Sequence, residues 1–154
     1  MANAKYMGAL SVTLHNAKDL IARDNNGKSD PFVKFHLFDP NKPTETKIAD
    51  IAKSTVKKAT LDPVWDDETY KIEVPRSFNS VCLRVEVFDW DIASGDDYMG
   101  ECEILLDKLV HSEGKDGISR RTCRLTSSTM LKKTLRAQGI SGTVELSVSY
   151  VMYK

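Results

Sequence analysis

Apolar and polar residues alternate with a period of two along most of the chain, a pattern that predicts strands. Leu10, Val12 and Leu14 alternate with Ser11 and Thr13 and mark the first of them. Residues 32–38 are rich in aromatic and β-branched side chains and are closed by Asp39-Pro40. Alternation returns over residues 47–56 and is broken by Leu61-Asp62-Pro63. Tyr70, Ile72 and Val74 outline a short strand that Pro75 ends. Residues 81–88 carry Val81, Leu83, Val85 and Val87 on one face. Residues 101–105 and, more weakly, 122–125 continue the series, and residues 144–151 form a strong last strand. About eight strands separated by turn signals predict an all-β, eight-stranded antiparallel sandwich. Helix is expected only in connections. Asp107 is a candidate cap for one turn through Leu109 and Val110, and residues 128–138 for a short basic helix that Gly139 ends.

Length adds that the 154 residues form a single domain, with a core over about 8–150 and a basic connection at 126–142. A hydrophobic content of 41% beside 29% charged residues is ordinary for a soluble globular protein. Formal net charge is zero, so no bulk attraction to nucleic acid or membranes is expected. The charge is unevenly placed. Residues 47–58 hold four lysines against Asp50, and residues 115–136 hold seven basic side chains against Asp116. Such stretches suit separate surfaces with separate partners. Cys82, Cys102 and Cys123 lie far apart with no CxxC spacing, and read as reduced thiols filling core or strand positions of a cytoplasmic protein. The N-terminal residues lack the apolar run of a signal peptide, and no segment reaches the roughly 18 apolar residues of a membrane span. Any membrane contact is therefore expected to be peripheral.

Aspartates change the picture more than any other residue type. One pair lies in Asp24-Asn25-Asn26-Gly27-Lys28-Ser29-Asp30-Pro31, and three more lie in Asp89-Trp90-Asp91-Ile92-Ala93-Ser94-Gly95-Asp96-Asp97-Tyr98-Met99-Gly100. Both segments adjoin strand-like runs and read as loops at strand ends. Residues 86–103 hold seven acidic side chains and no Lys or Arg. Two carboxylates about 4 Å apart at an effective dielectric of 20 repel by roughly 4 kcal/mol, so a loop gathering several of them needs a cation, protons or solvent. A flexible set of hard oxygen ligands favours calcium over zinc. Any one Asp in a turn is explained by local hydrogen bonding; the two segments together are not.

The run Gly27-Lys28-Ser29-Asp30-Pro31-Phe32-Val33-Lys34 resembles the signature of the C2 domain, the calcium- and lipid-binding β-sandwich of protein kinase C and synaptotagmin. The likeness continues through Leu61-Asp62-Pro63-Val64-Trp65-Asp66-Asp67, Val85-Glu86-Val87-Phe88-Asp89-Trp90-Asp91 and Asp97-Tyr98-Met99-Gly100, in family order. It implies that Asp24 and Asp30 of the first loop and Asp89, Asp91 and Asp97 of the third ligate calcium. Auxiliary ligands are implied near Arg23, Trp90, Ser94 and Gly95. One strand before the first loop and a full strand at the end resemble the circularly permuted, type II form. Asp62 replaces the family's Asn before Pro63, and residues 126–142 are longer and more basic than its usual connection.

The resemblance implies two bound calcium ions, or three, that leave coordination positions open for lipid phosphate or serine carboxylate. Two ions would take the five carboxylates from −5 to −1 and remove their repulsion from an anionic bilayer. Ile92 at the third loop's tip is a candidate for shallow insertion. Lys47, Lys53 and Lys57 stand at odd positions, share one face of the expected strand, and look like the family's lysine-rich groove for phosphoinositides. The expected function is calcium-dependent binding of a monomer to anionic phospholipid membranes, phosphatidylserine above all, with recruitment from the cytoplasm. The alternative is a calcium-modulated protein-interaction module docking a partner through the basic residues 115–136. An enzyme is not expected: no nucleophile elbow or Gly-rich phosphate loop occurs, and His15, His36 and His111 are isolated. An EF-hand read from Asp89 would need Gly and Glu where Ser94 and Gly100 stand.

Overall fold

The computed structural model describes residues 5–24, 26–41, 52–77, 80–93, 95–106, 118–127 and 139–153. Among them run eight strands: β1 (Tyr6–Lys18), β2 (Pro31–Phe38), β3 (Ala52–Lys53), β4 (Val64–Pro75), β5 (Cys82–Asp89), β6 (Asp97–Leu105), β7 (Ile118–Arg124) and β8 (Thr143–Met152). They form two four-stranded sheets in the orders β4-β1-β8-β7 and β3-β2-β5-β6. Every pairing is antiparallel. The expected all-β sandwich is what the chain adopts. The two helices expected at 107–110 and 128–138 fall outside the described residues.

Alternation explains why these segments pair as they do. Leu10, Val12 and Leu14 of β1 are fully buried, as are Val33 and Phe35 of β2, Leu83, Val85 and Val87 of β5, and Val144 and Leu146 of β8. Each fully buried side chain of this size is worth about 1.5–3 kcal/mol, so the inner faces of the two sheets hold each other together. A one-residue slip would turn a whole row outward, and this pins the register.

β4 is longer than Tyr70, Ile72 and Val74 suggest. It starts at Val64, and Trp65, only 1% exposed, belongs to the core. The sequence hides this because the pairing with β1 shifts between Leu14 and Asn16, and Asp66 and Asp67 take positive φ there (50° and 59°). An irregularity of this kind interrupts the two-residue period. β7 also exceeds its expected bounds of 122–125. It is a polar edge strand whose side chains alternate between exposed and half-buried, a pattern that hydropathy registers poorly. Conversely, strand geometry within the described part of 47–56 is confined to Ala52 and Lys53.

Two features bring the acidic segments to one end. β1 delivers the chain into the first loop and β2 leaves it, while β5 enters the third loop and β6 leaves it. β2 and β5 are antiparallel neighbours in a register that sets Pro31 opposite Asp89. Gly100, which closes the third motif, has φ +121° beside a register shift between Val87 and Phe88. A Cβ there would lie 2.7 Å from Ile140 Cγ2 and 3.2 Å from Leu125 Cβ, so the motif ends on the residue that lets the edge of β6 close against its neighbours.

Candidate metal centre

The first loop is built around a buried serine. Ser29 is fully buried, donates through Oγ to the Ile21 carbonyl (2.9 Å) and accepts from the Arg23 amide (2.9 Å). Backbone bonds from Arg23 and Asp24 to the Lys28 carbonyl close the turn, where Gly27 has φ +76°. This holds Asp24 and Asp30 on one side of the loop. The resemblance named Ser29 only as a letter of a motif; its burial beside two ligand candidates is what reveals its work.

Asp89 stands at the end of β5 with no solvent exposure. Its Oδ1 accepts from the Asp30 amide (2.7 Å), and the Trp90 amide donates to the Asp30 carbonyl (2.9 Å), so the loops are laced together. Asp30 Oδ1 accepts from the Ala59 amide (2.7 Å), which ties in the segment following β3. Asp24, Asp30 and Asp89 each present a carboxylate oxygen within 4.8 Å of the others.

This arrangement is electrostatically unsatisfied. Asp89 Oδ2 is buried and has no hydrogen-bond donor. An Asp24 carboxylate oxygen lies within 4.8 Å of one of Asp89's, and two carboxylates can share only a proton. Burial, and then the Asp24 and Asp30 charges, push the Asp89 carboxyl up to about 6 against the pull of the Asp30 amide. A cation among the three would give the orphaned oxygen a partner and cancel the repulsion. The donor set is all hard oxygen, which suits calcium chemistry. The triad thus fits a metal ion, and Asp24, Asp30 and Asp89 are the residues that could hold it.

The other sequence candidates fall around this triad. Asp97 is exposed and sits directly across from Asp89 in the β5–β6 register. Asp91, half-buried, accepts through Oδ1 from the Ala93 amide (2.8 Å). Neither joins the tight cluster of three. Gly95 is exposed with φ +82°, and Ile92 is 84% exposed at the loop's turn. Arg23 and Trp90 flank the ligands, and Ser94 lies outside the described residues.

Lysines gather on the outer face of the second sheet near this end. Lys53 and Lys34 are opposite each other across β3 and β2. Their ammonium groups lie over the buried Phe32 ring at 4.8 and 5.7 Å, and Lys34 is also 4.6 Å from the centre of the Phe88 ring. Lys58 caps the Trp90 ring at 3.5 Å. Lys57 lies beyond the two-residue β3, so strand alternation does not set it on a shared face with Lys53, and Lys47 lies outside the described residues. Sequence reading missed Lys34, although its position between inward-facing Val33 and Phe35 signals an outward side chain.

A two-sheet sandwich of this order, with acidic loops converging at one end, is a C2 domain. The family model described as C2 domain matches residues 8–120, and the chain belongs to that family. Tricalbin-1 of Saccharomyces cerevisiae is 40% identical over 103 residues, which are 66% of this chain and 8% of that protein. Synaptotagmin-3 of Arabidopsis thaliana is 38% identical over 112 residues, 73% of this chain and 19% of its own length. The solved C2A domain of plant extended synaptotagmin 1 superposes with a TM-score of 0.73 at 26% identity, covering 97% of this chain and 98% of that one. The chain thus spans less than a fifth of the length of these two curated relatives. Among the described residues no helix is long and apolar enough to cross a membrane.

Proposed function

We propose that this chain is a membrane-targeting module that binds anionic phospholipid through calcium held at the loop end of the sandwich. The observation that carries the reading is the buried Asp89 oxygen left without a donor between two further carboxylates. Asp24, Asp30 and Asp89 form the core of the site. Asp91 and Asp97 complete it as the loops close on the metal, with backbone oxygens near Arg23, Trp90, Ser94 and Gly95. Two ions, or three, are expected, each with coordination positions open to lipid phosphate or carboxylate. Ile92, the most exposed large apolar side chain among the described residues, then enters the interfacial region. The kinship with tricalbin and the synaptotagmins supports the membrane reading. The position of β1 before the first loop and the pairing of β8 with β1 support the permuted, type II form.

Co-sedimentation with phosphatidylserine vesicles under a free-calcium titration tests this. Wild type is expected in the pellet only with calcium, and Asp89→Asn/Asp91→Asn in the supernatant at every concentration. Absence of wild-type binding throughout would move the reading to a protein-docking module, in which the basic residues 115–136 meet the partner without lipid.

The lysine face adds a second lipid contact, for phosphoinositide headgroups, through Lys34 and Lys53 together with Lys47 and Lys57. The Phe32 and Phe88 rings beneath Lys34 and Lys53 hold both ammonium groups outward. Each lysine near an anionic surface is worth about 1 kcal/mol. Lys34→Ala/Lys53→Ala is therefore expected to weaken binding to phosphoinositide vesicles by about tenfold or more. Calcium-dependent binding to phosphatidylserine alone should change far less. An equal loss on both vesicle types would mean that the lysines act as general surface charge.

A further inference from the structure

His15 stands isolated in the sequence but not in the sheet. On the outer face of the first sheet it lies between Asp67 of β4 and Ser147 of β8. Its Nδ1 is bonded to Asp67 Oδ1, and its Nε2 lies 2.7 Å from Ser147 Oγ. The bond directions follow from the groups. An ionised carboxylate only accepts, so Nδ1 carries the ring proton, and Nε2 of the neutral ring accepts from the serine hydroxyl. One irregularity of the sheet creates this contact. Leu14 pairs with Leu146 and Asn16 with Glu145, so His15 is the extra residue of a bulge in β1. Over the same span the β1–β4 register shifts as well, and Asp67 takes φ +59°. A bulge re-aims a side chain, and here it aligns the imidazole across three strands. The His15 side chain is 12% exposed, so the ring has little freedom to turn away. Ser147 is half-buried and Asp67 exposed.

We propose that Ser147, His15 and Asp67 form a nucleophilic triad that hydrolyses carboxylic esters with a short apolar acyl group. A nucleophile within hydrogen-bond reach of a base, itself oriented by a third group, defines such a site whatever the order along the chain. Space for a substrate lies beside it. Ser149, two residues beyond Ser147 on the same side of β8, is about 7 Å along the strand and borders a groove of about 300 Å³. The small side chains of Ala9, Ser11 and Ser149 leave this trough open, with Val151, Lys71 and Tyr153 around it. The Tyr153 hydroxyl donates to Glu73 (2.8 Å) and Lys71 pairs with the same carboxylate (3.5 Å), which steadies two of the walls. β8 lies between β1 and β7, so its amides serve two ladders and a developing oxyanion needs a side-chain donor. Arg120 stands opposite Ser147 in the β7–β8 register. Its Nε donates to Glu145 (2.7 Å), which Asn16 also holds (2.8 Å), and its terminal guanidinium nitrogens are the donors for that oxygen.

The chemistry balances with water as the only co-reactant. Ser147 Oγ attacks the ester carbonyl while His15 Nε2 takes its proton, and Asp67 stabilises the imidazolium. The tetrahedral oxyanion collapses, the bond from the carbonyl carbon to the alcohol oxygen breaks, and the alcohol leaves with the proton from Nε2. Water then attacks the acyl-serine carbonyl and gives a proton to Nε2. The bond from that carbon to Oγ breaks as the proton returns to Ser147. One ester and one water become one acid and one alcohol, with no change of oxidation state. No step uses Asp24, Asp30 or Asp89.

The test uses the whole chain in chelator and without vesicles, so its outcome does not depend on the metal site. Diisopropyl fluorophosphate is expected to add once per chain, at Ser147 by peptide mapping, and not to Ser147→Ala. p-Nitrophenyl butyrate is expected to turn over with an initial burst, and Ser147→Ala and His15→Gln to lower kcat by about a hundredfold or more. Asp67→Asn permits the wrong tautomer of the ring, and should lose activity while its melting temperature stays near that of wild type. His36→Gln, on the other sheet, controls for unspecific imidazole catalysis and should leave turnover unchanged. A folded wild type with no adduct at Ser147, an adduct without turnover, or turnover that survives Ser147→Ala would each overturn the proposal. The three side chains would then be only a hydrogen-bonded clasp between strands.

Discussion

Replacing Asp89 with Asn is expected to stabilise the calcium-free protein by about 1–3 kcal/mol while abolishing its response to calcium. The two effects have one origin. The Asp89 carboxyl is raised to about 6 by burial and by the Asp24 and Asp30 charges, so at neutral pH its ionised form opposes folding. Asparagine keeps an oxygen to accept from the Asp30 amide. Its amide nitrogen, in the place of the unpartnered Oδ2, supplies donors for the Asp24 carboxylate. The sign with pH follows. A carboxyl raised in the folded state favours folding most at low pH, and that contribution is lost as pH rises through about 6. The variant's advantage should therefore be full at neutral pH and close as pH falls toward the ordinary value of 3.8.

Calcium reverses the comparison. At about a hundred times its dissociation constant, a ligand stabilises the folded wild type by about 2.7 kcal/mol. The variant has lost the oxygen pair at the centre of the triad and should show no such gain. Urea unfolding of both proteins, with calcium and with chelator, reads all four values. A variant less stable than wild type in chelator would mean that Asp89 is satisfied in the native state. An undiminished calcium shift in the variant would place the metal elsewhere.

Trp65→Ala is expected to cost about 4–6 kcal/mol, the largest loss from one side chain in this fold. Truncating a buried aromatic residue costs about 3–5 kcal/mol in transfer and cavity terms. The indole N–H also donates to the Thr55 carbonyl (2.9 Å), and leaving that carbonyl unpaired adds about 1 kcal/mol or more. Against a total stability of about 5–15 kcal/mol, this brings the protein close to unfolding at room temperature. Trp65→Phe retains most of the volume and should lose only about 1–3 kcal/mol, through the hydrogen bond and a small void. Urea midpoints with unchanged m-values would confirm that both act on the native state. The consequence reaches the metal centre. Thr55 begins the segment whose Lys57 amide bonds the Pro31 carbonyl and whose Ala59 amide holds Asp30. Loosening Trp65 therefore weakens a support of the triad, and Trp65→Phe is expected to bind calcium less tightly though no ligand is changed. Equal calcium affinity in folded Trp65→Phe would show the segment to be held independently.

The chain's own pattern determined that it is a sandwich of strands. Period-two burial is a local property, and Leu10, Val12 and Leu14 or Leu83, Val85 and Val87 announce their shared face without knowledge of their partners. It also narrowed the class of chemistry, because acidic side chains gathered in two turn segments need a cation, protons or solvent wherever those turns lie. What it left open was every relation that depends on which strands become neighbours. The β2–β5 register alone decides that Asp89 meets Asp30, while Asp91 and Asp97 stand outside the tight triad. Lys34 joins Lys53 only because β3 pairs with β2, and strand alternation does not extend to Lys57 because β3 ends after two residues. The local pattern fixes which way a side chain points from its own strand, but its distance to another strand is set by the packing of the whole sandwich, and the candidate metal site depends on those distances.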